Sequence, residues 1–112
     1  PRDGTFLGAL FESLATLSVR VFASAAGADV AHLRLHEGSH EVDMCVLPED
    51  GGVFGIEVKL ASDVSDEDVR HLLWLRDEID EEFLGGVVLT TGSTAYRRPD
   101  GIAVVPLGLL GP

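Results

Sequence analysis

Between residues 5 and 26 apolar side chains recur at three- and four-residue spacing: Leu7, Leu10, Phe11, Leu14, Leu17, Val21, Phe22 and Ala25. That period predicts an amphipathic helix with its apolar stripe on a core. Thr5 would cap its start and Gly27 end it. The period then drops to two. Residues 31–35, 40–47 and 53–60 read as short strands, separated by turn signals at Glu37-Gly38-Ser39 and at Pro48-Glu49-Asp50-Gly51-Gly52. This spacing predicts an antiparallel meander. The helical period returns over 62–82, where Val69, Leu72, Leu73, Leu75 and Ile79 form a stripe. Ser65 and Asp68 make a capping-box-like start, and Asp66 and Glu67 suit the positive end of the helix dipole. The acidic run 77–82 opposes the dipole, so fraying is expected there. Residues 85–92 are apolar without alternation, as in an interior strand covered on both faces. Strand, helix and strand from 53 to 91 predict a right-handed crossover with parallel strands. Residues 93–101 read as a loop and 102–107 as a last strand. Trp74 reads as a packing residue, His71 as an exposed helix residue, and Arg97 and Arg98 as solvated loop charges.

The alternation also sorts the charges. In Glu41-Val42-Asp43-Met44-Cys45-Val46, Val42, Met44 and Val46 would share one face. Glu41, Asp43 and Cys45 would share the other. In Gly55-Ile56-Glu57-Val58-Lys59-Leu60, Ile56, Val58 and Leu60 oppose Glu57 and Lys59. If the two strands pair with their apolar faces aligned, Asp43, Glu57 and Lys59 meet on the outer face. Two carboxylates beside an ammonium form a hard-oxygen site for a divalent cation, with a positive charge left for an anionic oxygen. A solvated strand face produces the same alternation. Glu12, the single acid within the first helix, sits beside the apolar stripe, either exposed near Arg20 or projected toward a site at the stripe's edge.

Composition narrows the setting. The 112 residues suffice for one domain, are 46% hydrophobic and 24% charged, and carry a net charge of −11. Opening at Pro1 without a methionine, the chain reads as a fragment or a processed product. No apolar run is expected to reach membrane-span length, and no signal pattern opens the chain. The single cysteine, Cys45, excludes an internal disulfide, fits a reducing cytoplasm, and reads as a buried hydrophobe. A polyanion repels DNA, so this unit alone should bind nucleic acid poorly. Self-association is left open.

The order helix, three-strand meander, helix, strand, strand carries Glu12 on a helix, Asp43 on the second strand and Glu57-x-Lys59 on the third. This resembles the PD-(D/E)XK nuclease-like superfamily, whose restriction-endonuclease-like core is an α/β fold with a mixed sheet flanked by helices. More narrowly, EVDMCV, GIEVKL followed by A-S-x-x-V-S, and F-x-x-G-V-V-L-x-T-G resemble a domain appended C-terminally to prokaryotic P-loop ATPases. The resemblance covers most of the chain, from Glu12 to about Leu107. It implies that Asp43 and Glu57 bind Mg2+, or Mn2+ in its place, with the Val58 carbonyl as a further ligand. It also implies that Lys59 positions or activates a water and that Glu12 contributes directly or through water. Val42 stands where the superfamily's name places a proline. The implied function is Mg2+-dependent phosphodiester hydrolysis in DNA, beside an ATPase domain of the same polypeptide. The alternatives are a non-catalytic regulatory or interaction module of that ATPase with a relic site, and a stand-alone protein-binding domain without metal.

Overall fold

A computed structural model describes residues 2–34 and 39–110, with side chains from Phe6 onward. The elements are α1 (Arg2–Ala25), β1 (Asp29–Arg34), β2 (Glu41–Leu47), β3 (Val53–Lys59), α2 (Arg70–Ile79), β4 (Phe83–Thr90), β5 (Tyr96–Arg97) and β6 (Ala103–Pro106). The strands form one sheet in the order β1-β2-β3-β4-β6-β5. β1, β2 and β3 pair antiparallel, β3 with β4 and β4 with β6 pair parallel, and β5 returns antiparallel to β6. The fold is thus α/β, with a mixed six-stranded sheet and two helices, and the expected meander and parallel crossover through α2 are present. Leu35 and the Glu37-Gly38 part of the first expected turn lie outside the described residues.

The sheet has apolar cover on both faces. Val42, Cys45, Val88 and Ile102 pack with Val69, Leu72 and Leu75 on the α2 side. Met44, Ile56 and Leu89 pack with Ala15 and Val19 on the α1 side. Cys45 lies opposite Met44, as the alternation predicts, but Val42 lies there too, against the alternation read from the sequence. The cause is a bulge: from the pair Ala31–Cys45 to the pair Leu33–Val42, β1 advances two residues and β2 three. One extra residue inverts the faces beyond it.

α1 differs more. Its buried residues are Phe11, Ala15, Val19 and Ala23, at four-residue spacing. The bulkier stripe Leu7, Leu10, Leu14, Leu17 and Val21, expected in the core, is exposed. Small side chains let the helix lie close on the strands, so the sheet takes the narrower face. The stretch Phe6–Ala25 is long and apolar enough to cross a membrane, contrary to the expectation from the sequence. It also contains Glu12 and Arg20, and its buried face is sheet-bound. α1 begins at Arg2, which places Thr5 inside the helix rather than at its cap. Gly27 does end it: at φ +73 it lets its own N–H reach Ser24 O and that of Ala28 reach Ala23 O.

The second helical stretch is shorter than 62–82. A 3-10 turn, Glu67–Val69, precedes α2, and another, Asp80–Glu82, follows it where Asp80 adopts φ +50. The expected loop 93–101 contributes Tyr96 and Arg97 as a two-residue edge strand.

Candidate functional site

β2 and β3 stay paired only from Val46–Phe54 to Met44–Ile56. Beyond that point the strands fork, and side chains take over from the ladder. The Val58 N–H donates to Asp43 Oδ2 at 2.8 Å, and the Asp43 N–H donates to Glu57 Oε2 at 3.2 Å. Each carboxylate satisfies the backbone donor that the opposite strand would otherwise leave unpaired. Both acids are largely shielded from water. Burial pushes the Glu57 carboxyl up to about 8, with the Asp43 charge adding to it. Burial also raises Asp43, against the Val58 hydrogen bond. Glu57 accordingly holds a proton at neutral pH in the absence of a cation.

Lys59 lies two residues further along β3 and reaches Asp68, with Nζ to Oδ1 at 2.7 Å. The other oxygen of Asp68 accepts from the Ser65 N–H at 2.8 Å and from its hydroxyl at 3.0 Å. This is the reach-back half of the expected capping box. Burial pushes the Asp68 carboxyl up, but the Lys59 ammonium and the Ser65 donors hold it below the usual carboxylate range. Sequence reading gave Asp68 only the cap. Its ion pair with Lys59 depends on the approach of β3 to the turn before α2.

The side of the fork nearer α1 opens into a cleft of about 280 Å3, lined by Glu12, Thr16, His32, Glu41, Asp43 and Val58 among others. Glu12 thus projects toward the site from α1. Asp43 faces this cleft, while Glu57 and Lys59 follow the α2-side periodicity of Gly55. The acids meet across the fork rather than on one flat face. His32, unremarked in the sequence, hydrogen-bonds through Nδ1 to the Asp43 carbonyl oxygen. A carbonyl only accepts, so Nδ1 is the donor.

His71 and Arg98 depart from expectation. His71 is half-buried, its Nδ1 3.1 Å from that of His40 and 3.5 Å from the Glu41 N–H. Burial, then Arg70 and His40, lower its pKa. His40 stacks on Trp74 with ring centroids 4.2 Å apart, and Trp74 packs against the α2-side core. Arg98 is no solvated loop charge: it binds Asp66 at 2.6 Å, Asp100 at 3.2 Å and the Val64 carbonyl at 2.8 Å. A guanidinium so enclosed is not free to hold a phosphate chain.

Oxygen donors at the fork are of the kind a hard divalent cation takes. Among the described residues no group of three His, Cys, Asp or Glu side chains converges as metal ligands. A cation here would rest on Asp43, Glu57 and backbone oxygen. The family described as a domain of unknown function (DUF4143) matches residues 7–110. Comparison with curated proteins and with solved structures returned no match.

Proposed function

The chain belongs to the DUF4143 family of domains of unknown function, and we propose that it is a PD-(D/E)XK nuclease-like domain that hydrolyses phosphodiesters with Mg2+ or Mn2+. The carrying observation is the fork, where Asp43 and Glu57 are bonded into each other's strands and Glu57 keeps a proton up to about 8. Asp43 and Glu57 would hold the cation, with the Val58 carbonyl beside them. When bound, the cation would polarise the phosphoryl group and offset its charge. Lys59 is bonded to Asp68 rather than to Asp43 or Glu57, and would supply hydrogen-bond donors and positive charge from two residues further along β3. Glu12 reaches the same cleft from α1 and would orient a water. The restriction-endonuclease-like reading is supported by the element order and by the parallel β3–β4 pair beside the meander.

The charge of −11 means that DNA must be held by other surface. We assign that role to an ATPase domain of the same polypeptide, in a cytoplasmic protein. A second reading, a regulatory module of such an ATPase with a relic site, is favoured by one contact: Asp68 already occupies Lys59.

Calorimetric titration with Mn2+ and Mg2+ separates the two. The first reading expects binding by wild type and none by Asp43→Ala. It further expects Mn2+-dependent cleavage by the longer polypeptide, lost in Asp43→Ala and Lys59→Ala, with little cutting by this unit alone. Binding without cleavage of duplex, single-stranded or branched DNA would select the regulatory module. Absence of binding would remove both metal readings.

A further inference from the structure

A helix lying on a sheet normally turns a polar face to water. α1 turns only a narrow one: Glu12, Ser13 and Arg20 stand exposed along one side, with Glu12 also at the cleft beside Asp43. Away from the sheet stand Leu7, Leu10, Leu14, Leu17 and Val21, flanked by Phe6 and Phe22, with exposures from 45% to 68%. The steps between the five aliphatic residues are three, four, three and four, the repeat of a two-stranded helical seam. The buried stripe Phe11, Ala15, Val19 and Ala23 shows no such repeat, so one helix carries two separate apolar faces.

We propose that this outer face is a homodimer interface, with α1 of one copy packed against α1 of a second around a two-fold axis. Three observations favour a second copy as the occupant. The seam is self-complementary, because a three-four stripe seats best against another of the same kind. It carries no like charges that would oppose each other across the axis. Its area is also sufficient: these side chains expose on the order of 100 Å2 each, or roughly 700 Å2 together, against about 800 Å2 per partner in a stable interface. Between α1 and the sheet runs a separate groove of about 370 Å3 lined by apolar residues, among them Phe22, Ile56, Val87 and Val105.

The net charge of −11 sets a signature. Two such bodies repel, and salt screens the repulsion without weakening apolar contact, so the dimer tightens as salt rises. An interface held by ion pairs would do the reverse.

The test is sedimentation velocity on the chain over a concentration series at low and high salt, with phosphatidylcholine vesicle flotation alongside. The expected result is a monomer–dimer equilibrium that tightens with salt. Leu14→Glu with Leu17→Glu should weaken it about a hundredfold while leaving far-UV circular dichroism unchanged, since both side chains point to solvent. Leu109→Glu, at an exposed apolar residue off the helix, should leave the dimer intact. A monomer at every concentration overturns the proposal, as does a dimer that survives the double substitution. So does flotation of a monomeric chain with vesicles, which would assign the face to lipid.

Discussion

Glu57 and Asp43 each close a backbone donor on the other's strand, at 3.2 Å and 2.8 Å, so neither acid moves without opening the fork. Of the two, Glu57 retains a proton up to about 8 through burial and the Asp43 charge. In the unfolded chain it releases that proton near 4.5. Between those values the folded state binds more protons than the unfolded state, so stability falls as pH rises. Thermal melts should show this decline for wild type and a flatter profile for Glu57→Gln. Parallel profiles would mean that Glu57 is ionised in the fold.

A divalent cation competes with that proton. Mn2+ affinity should rise with pH, by up to about tenfold per unit, and level off above about 8. Isothermal titration in buffers of different ionisation enthalpy should detect proton release on binding. Asp43→Asn should abolish the heat.

Val58 and Lys59 are neighbours on β3 but face different surroundings. Val58 packs on the α1-side core, while Lys59 is bonded to Asp68 at the sheet's polar end. Val58→Asp should therefore cost about 1–3 kcal/mol, as a charge on the half-buried wall between core and cleft. Lys59→Ala should cost under about 1 kcal/mol, since its partly exposed ion pair is screened by water. Melts ranking the two in reverse order would invert the assignment of strand faces.

Gly55 lies where β3 passes under Leu72 and Leu75 of α2. A Cβ there would stand 2.7 Å from Leu72 Cδ2 and 3.3 Å from Leu75 Cδ2. Gly55→Ala should destabilise by about 1–3 kcal/mol, with the midpoint of urea unfolding as the measure. Pairing it with Leu72→Val should recover part of the loss.

The two strands bearing Asp43, Glu57 and Lys59 were legible because the period of two is a local signal. What alternation could not carry was the bulge, since an extra residue leaves no mark on composition. Val42 accordingly changed sides. The face of α1 was misread because a helix apolar on two sides obeys the periodicity rule twice. Only the presence of the sheet selects Ala15 and Val19 over Leu14 and Leu17. Arg98 was read as solvated because Asp66 lies 32 residues away in sequence. Its burial depends on the loop after β4 folding back over the start of the α2 region. Contacts that join distant segments are the ones that periodicity leaves out.

The brevity of β5 governs how the sheet ends. Tyr96 and Arg97 cover part of β6 and then stop, so that border offers little continuous backbone for another strand to join. At the opposite border β1 is paired to a bulged neighbour, and Arg34 sits there with its guanidinium on Glu41. Twist and charge both discourage stacking of strands from separate molecules. Both borders of the folded sheet are thereby poor templates for fibril growth.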